Sequence, residues 1–340
     1  GISNNIITKV TIWDEGADVT FNYDITKVDG FLEIKKRPIT IQTADDNKVY
    51  DATPLFNLNY DITVGTLVEG QRLDTENYAT IIDVGKANND LNMNIYDIEN
   101  IDVTYNYEIT YITGILEINP RPITIQTADD AKVYDKTELF NLNYDIIAGS
   151  LVKDQIIDIY GYAVIVDVGK RNNRLDMMIY DINNNDVTKN YTITFLLGKL
   201  EIIPRPITIQ TASDAKIYDG ELLSNTGYEI TSGSLVEGQW INLNSYTSIV
   251  DAGTALNNLG LDIYDNDVDV TGNYDITVEL GTLTVSHRLI TIKTADDNKV
   301  YDAKALYNLN YIITFGTLVE GHEIDVSNYT SITNVGVLPN

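Results

Sequence analysis

The chain has 340 residues, 44% of them apolar and 21% charged, no cysteine, and a formal net charge of −27 from 50 acidic and 23 basic side chains. That composition suits a folded, soluble chain and excludes disulfides, thiolate metal sites and cysteine nucleophiles. Its negative charge argues against nucleic acid as a partner, and no apolar run is long enough to span a membrane.

Residues 1–36 read as the second half of a repeat. Ile12-Trp13-Asp14 matches Ile95-Tyr96-Asp97, Asn22-Tyr23 matches Asn106-Tyr107, and Gly30-Phe31-Leu32-Glu33-Ile34 matches Gly114-Ile115-Leu116-Glu117-Ile118. No charged-then-apolar leader precedes this half-repeat, so if the protein is exported or anchored, those signals are expected outside the chain. The stretch 37–51 then recurs at 121–135, 205–219 and 288–302. Its Tyr-Asp pair places Tyr50, Tyr134, Tyr218 and Tyr301 at steps of 84, 84 and 83 residues. A fixed long period of this kind marks a tandem array. We expect a half-repeat at 1–36, repeats at 37–120, 121–204 and 205–287, and the first half of a repeat at 288–340.

Within one repeat the apolar period is two. Ile39 and Ile41 alternate with Thr40 and Gln42, and Val103, Tyr105, Tyr107, Ile109 and Tyr111 alternate with polar residues, as half-buried strands do. Leu116 and Ile118 form the last strand. Further strands are predicted at 48–50, 58–64, 78–83 and 92–97, about seven in all. Turns fall at Gly65, Gly70, Gly85 and Gly114, with Asn88-Asn89 in a polar loop. Glycine recurs at 65, 149, 233 and 316, and again at 85, 169, 253 and 336, which predicts a positive φ at these turns. The joints Ile118-Asn119-Pro120-Arg121-Pro122-Ile123 and Ile202-Ile203-Pro204-Arg205-Pro206-Ile207 leave little slack, whereas 285–290 lacks both prolines. The 23 tyrosines against 6 phenylalanines suit strand faces where a ring packs and its hydroxyl reaches water. The expected fold is all-β: about four 84-residue Ig-like β-sandwich repeats in an extended rod, on the order of 150 Å long. A β-grasp unit with one short helix around residues 86–94 is the alternative.

The order Ile-Thr-Ile, Lys-Val-Tyr-Asp, Gly-Thr-Leu-Val-Glu-Gly, Asn-Tyr and Gly-x-Leu-Glu-Ile resembles the MBG/YDG-type tandem repeats of bacterial cell-surface adhesins. The fuller form, Tyr218-Asp219-Gly220, stands in the third copy, where the others have Ala52, Lys136 and Ala303. The resemblance implies an extracellular, cell-surface stalk or adhesin segment with no catalytic residues to carry over.

Candidate sites are few. The only histidines, His287 and His322, sit at non-equivalent repeat positions, which argues against a histidine-dependent triad and against an enzyme. Asp45, Asp46, Asp129, Asp130, Asp296 and Asp297 offer oxygen ligands for calcium, or form solvated turns. Lys48, Lys132, Lys216 and Lys299 recur beside the Tyr-Asp pair, with Asn106, Asn190 and Asn273 before a core tyrosine. Such lysines form isopeptide cross-links with a buried asparagine, or guard an edge strand. Trp240 stands at a variable position where an indole would be free to stack on a sugar. Asn190-Tyr191-Thr192 and Asn328-Tyr329-Thr330 are glycosylation sequons.

Three functions follow as expectations. The first is a non-enzymatic stalk or spacer. The second is a filament subunit whose half-repeats complement those of other copies of itself. The third is an adhesive module that binds a surface glycan or protein through loops such as 69–77 and 85–94.

Overall fold

The computed structural model describes residues 1–339, and among them the regular secondary structure is almost entirely β-strand, with helix limited to three-residue turns. The alternation of apolar and polar side chains explains this, because one face of each strand finds a core and the other meets water. In residues 37–119 eight strands form: β1 (Arg37–Thr43), β2 (Asp46–Val49), β3 (Tyr60–Val64), β4 (Arg72–Tyr78), β5 (Gly85–Asn88), β6 (Leu91–Tyr96), β7 (Tyr107–Ile112) and β8 (Ile115–Asn119). β1 is central, antiparallel to β3 and parallel to β7 in the register Arg37↔Tyr107. β8 is central in a second sheet, parallel to β2 and antiparallel to β5. β4 and β6 pair antiparallel, with a bulge between Asn92 and Met93. The same order runs through 121–203 and 205–286.

Four details of the sequence reading change. Residues 86–94, the place of the helix in the β-grasp alternative, are strands, because Leu91, Met93 and Ile95 alternate into the core with period two. Asn89 is fully buried: its Nδ2 donates to Ala44 O (2.8 Å) and its carbonyl accepts from Thr43 Oγ1 (2.7 Å). The strand expected at 78–83 lies instead at Arg72–Tyr78, and Ile81 makes only an isolated bridge to Leu55. Residues 104–106 form a 3-10 turn that breaks the long alternation, so Tyr105 is exposed.

The glycine expectation holds at 65, 149, 233 and 316, where φ is +77°, +74°, +75° and +74°; at the second recurring position φ is +150°, +150° and +158° at Gly85, Gly169 and Gly253, but Gly336 does not have a positive φ. Space requires it as well, since a Cβ on Gly149 would lie 2.3 Å from Pro122 O.

The chain divides into two compact units. One comprises Gly1–Ala128, Leu142–Tyr162 and Arg174–Leu197, and the other Asp129–Asn141, Ala163–Asn173 and Gly198–Asn340. The first holds two cores. Ile39, Ile41, Leu91, Met93, Ile95, Val103 and Tyr107 pack between β1, β3, β4, β6 and β7. In the other core, Tyr50, Leu55, Leu116 and Ile118 pack with Ile123, Ile125, Leu175, Met177, Ile179, Val187 and Tyr191. This second core straddles residue 120, so the sequence joint runs through the middle of packed hydrophobic structure. The second unit repeats the plan, with Tyr134, Leu139, Leu200 and Ile202 against Ile207, Ile209, Ile263 and Tyr274. Pro122 and Pro206 are tolerated because the antiparallel neighbour begins to pair only at Thr124 and Thr208, past the missing N–H.

Candidate functional site

The recurring polar constellation lies at these joints. In the first unit, Arg121 follows Asn119 by two residues, so its guanidinium is held over the seam. Its Nε donates to Ser150 O (2.7 Å), and its two terminal nitrogens donate to Ser150 Oγ (2.9 Å) and Tyr50 O (3.4 Å). Gln155 bridges two buried tyrosines: its Nε2 donates to Tyr50 Oη (3.1 Å) and its Oε1 accepts from Tyr191 Oη (2.5 Å). Tyr191 Oη also accepts from Val152 N (2.9 Å), and the Tyr50 and Tyr191 rings meet edge to face at 5.7 Å. Burial pushes the Tyr191 hydroxyl above the ordinary tyrosine range. This arrangement leaves each hydroxyl and amide with a partner, as a buried polar group requires.

Asn190 is the second element. A short 3-10 turn, Thr188–Asn190, aims its amide back across the seam, where it is fully buried. Its Oδ1 accepts from Val84 N (2.8 Å) and its Nδ2 donates to Asp83 Oδ1 (2.9 Å). Lys189 pairs with the same carboxylate at 2.9 Å, and Lys189 together with the Asn190 amide holds Asp83 below the ordinary carboxylate range.

The second unit rebuilds the joint. Gln239 joins Tyr134 and Tyr274, whose rings are 5.8 Å apart, and Arg205 binds Ser234 O and Oγ and Tyr134 O. Asn273 accepts from Val168 N (2.7 Å) and donates to Asp167 (3.0 Å). One addition is local to this unit. Lys136, at φ +69°, pairs with the nearly buried Asp265 at 2.5 Å, and Gln239 Nε2 donates to the same carboxylate.

The residues singled out from sequence mostly do other work. Lys48 Nζ binds Asp51 Oδ1 (2.7 Å) and Thr53 O (2.7 Å), and Lys132, Lys216 and Lys299 repeat the turn with Asp135, Asp219 and Asp302. Their ammonium groups thus bind the following turn, while Asn190 and Asn273 bind Asp83 and Asp167; the structure does not bring lysine and asparagine together. Asp45 Oδ1 accepts from Ile115 N (2.7 Å), and Asp46 accepts from Asn47 N and Asn57 Nδ2. Asp129 and Asp130 do the same with Lys199 N, Ala131 N and Asn141 Nδ2. Asp297 accepts from Asn298 N. Among the described residues no three His, Asp or Glu side chains gather as a metal would need.

Residues 72–77 and 85–88, offered as binding loops, are strands. Trp240 stacks on Tyr264 across paired strands, with ring centroids 5.4 Å apart. Asn190 is buried, so its sequon is closed in this fold. The joints are legible in the sequence as proline-bearing links, but the asparagine clamp across them escaped that reading. Its signal was there, as Asp83, Asp167 and Asp251 recur at the same period as Asn106, Asn190 and Asn273.

Among known proteins, no family model matches this chain, and no curated protein matches it.

Proposed function

We propose that the chain is a non-enzymatic structural spacer, a stalk segment of a bacterial cell-surface adhesin or extracellular fibre. The observation that carries this reading is the recurrence of one joint, with Arg121, Gln155 and Asn190 in one unit and Arg205, Gln239 and Asn273 in the other playing the same parts. A buried seam between successive copies resists bending and adds length by a constant increment, which is what a stalk requires. High negative charge keeps such a chain soluble and self-repelling. The surface location follows from the resemblance to MBG/YDG-type repeats.

Small-angle scattering tests the reading on two chains, the whole one and one from which residues 121–204 are excised. The excision is in phase, so Pro120 runs directly into Arg205 and rebuilds a joint. A spacer loses maximum dimension in step with the deleted period. An equally compact particle from both chains would refute it.

A further inference from the structure

Each internal copy is entered through β1 and left through β8. The chain comes in at Arg37, and β8 ends at Asn119, one residue before Arg121 opens the first strand of the next copy. A pull along the chain therefore acts on the N-terminal end of β1 and the C-terminal end of β8. Both strands lie parallel to a partner. β1 pairs with β7 from Arg37↔Tyr107 to Gln42↔Ile112, and β2 pairs with β8 from Asp46↔Leu116 to Val49↔Asn119. Tension draws β1 toward its own N-terminus, while β7, which continues into β8, is drawn toward its C-terminus. In a parallel pair those two pulls oppose each other along the strand axis, so the evenly spaced bonds share the load and must fail together. The same holds for β2, which follows β1, against β8. In an antiparallel pair loaded in this way both pulls would fall at one edge, and the ladder would open one bond at a time.

The two crossovers within a copy are fastened to each other. Residues 44–45 lead from β1 to β2, and 113–114 lead from β7 to β8, so both pass from the first sheet to the second. The buried Thr43 hydroxyl accepts from Gly114 N (2.8 Å) and donates to Asn89 O (2.7 Å). Asp45 Oδ1 accepts from Ile115 N (2.7 Å), and Asn89 N donates to Gly114 O (2.8 Å). The approach is close enough to require glycine, since a Cβ on Gly114 would lie 2.4 Å from Ala44 O. A slip of β1 against β7 has to break this pin as well as the ladder.

The later copies keep the register. Arg121↔Tyr191 runs to Gln126↔Leu196, and Arg205↔Tyr274 runs to Gln210↔Glu279. Asp130 and Asp214 open the second parallel pair against Leu200 and Leu283. Thr211 accepts from Gly281 N (2.8 Å) and donates to Asn257 O (2.7 Å), and a Cβ on Gly281 would lie 2.4 Å from Ala212 O. Side chains along these strands vary between copies, as Tyr111, Phe195 and Val278 do at one position, while the threonine and glycine of the pin do not change.

We propose that each copy is a tension-bearing clamp, so that the chain carries mechanical load along its length. The parallel pairs resist in shear, and the threonine–glycine pin locks their crossovers. The proposal goes beyond the spacer reading and does not depend on it, because it concerns how one copy answers a pull on its two ends.

The test is single-molecule pulling of the full chain in two directions. The chain has no cysteine, so introduced cysteines serve as unique attachment points. Lys36→Cys with Thr113→Cys loads β1 and β7 at opposite ends, in shear. Lys36→Cys with Tyr105→Cys loads them at the same end and peels them apart. All three side chains are exposed. At one loading rate the first arrangement should rupture at about twice the force of the second or more, because its bonds fail together. That rupture should release about 250 Å, the extended length of residues 36–113, which assigns the event to this copy. Thr43→Val deletes the hydroxyl of the pin. It should lower the shear force and leave the peeling force unchanged, since peeling starts at the Arg37↔Tyr107 end of the pair. If Thr43→Val does not fold, the two directions of the parent chain decide alone. Equal forces in the two directions would overturn the proposal. An equal loss in both on Thr43→Val would overturn it too, because general destabilisation gives that result. Neither outcome alters the unloaded dimension in solution on which the spacer reading is tested.

Discussion

The closed joints and the open edge use one sequence in two environments. Tyr50 and Tyr134 are each 2% exposed, sealed under Tyr191 and Tyr274, while Tyr301, at the same repeat position, is 60% exposed. Tyr218 stands between them, half-buried beside His322. The residue and its chain neighbours barely change. What changes is whether strand β7 of a following copy lies across it. Burial in this protein is therefore a property of the seam, and a substitution should be judged by the state of its joint.

The largest effect is expected from the buried tyrosine. Tyr134→Ala removes a ring in edge-to-face contact with Tyr274 and one of the hydrogen bonds of the Gln239 amide. It should cost about 3–5 kcal/mol in the urea transition of its unit. Tyr301→Ala should stay within about 0.5 kcal/mol, as exposed substitutions do. Equal losses would break the comparison. Next come the glycines. Gly149→Ala places a Cβ against Pro122 O at φ +74° and should cost about 2–3 kcal/mol. Gly238, at φ +83° with nothing within 4 Å of a Cβ, should lose only about 1 kcal/mol on the same change. Asp154 already occupies the equivalent position at φ +64° in the preceding copy, which supports the smaller figure. The asparagine clamp is smaller again. Asn273→Ala leaves Asp167 and Val168 N unpaired and should cost about 1–2 kcal/mol, whereas Asn106, exposed and without such partners, should tolerate alanine within about 0.5 kcal/mol. Urea midpoints of the paired variants decide both comparisons.

What was legible in the sequence follows the same divide between local and distant causes. The strand at Arg37–Thr43 is written in the alternation of Ile39 and Ile41, and the turn at Gly65 in the glycine that recurs at its position. Both are short-range signals. The strand Arg72–Tyr78 was not legible, because Asp74, Thr75, Glu76 and Asn77 give it no apolar alternation; pairing to β6 makes it a strand. The parallel pairing of β1 with β7 joins residues 70 positions apart, and no local pattern announces it. The clamp from Asn190 to Asp83 spans 107 positions. A period of 84 shows that copies exist, but the same period would result if each copy closed on its own core. Where the seams fall is decided by packing.

The smallest expected effect is one that should ignore the state of the joint. Lys132 and Asp135 pair three residues apart within one turn, as do Lys299 and Asp302 at the open edge. The Lys132 ammonium, with the hydroxyl and N–H of Thr137, holds the Asp135 carboxyl down to about 2, and Lys299 lowers Asp302 in the same direction. A carboxyl whose folded pKa is depressed contributes its stability in full above the unfolded value of about 3.9, and loses it as pH falls through the folded value. The contribution should therefore fade between about pH 4 and pH 2. Lys132→Met should make that acid loss shallower, and so should Lys299→Met, by a similar small amount, since both carboxylates are half exposed and screened by water and salt. Acid titration of the two variants, in low and high salt, reads this directly. A loss confined to Lys132→Met would mean that even this turn depends on the seam above it.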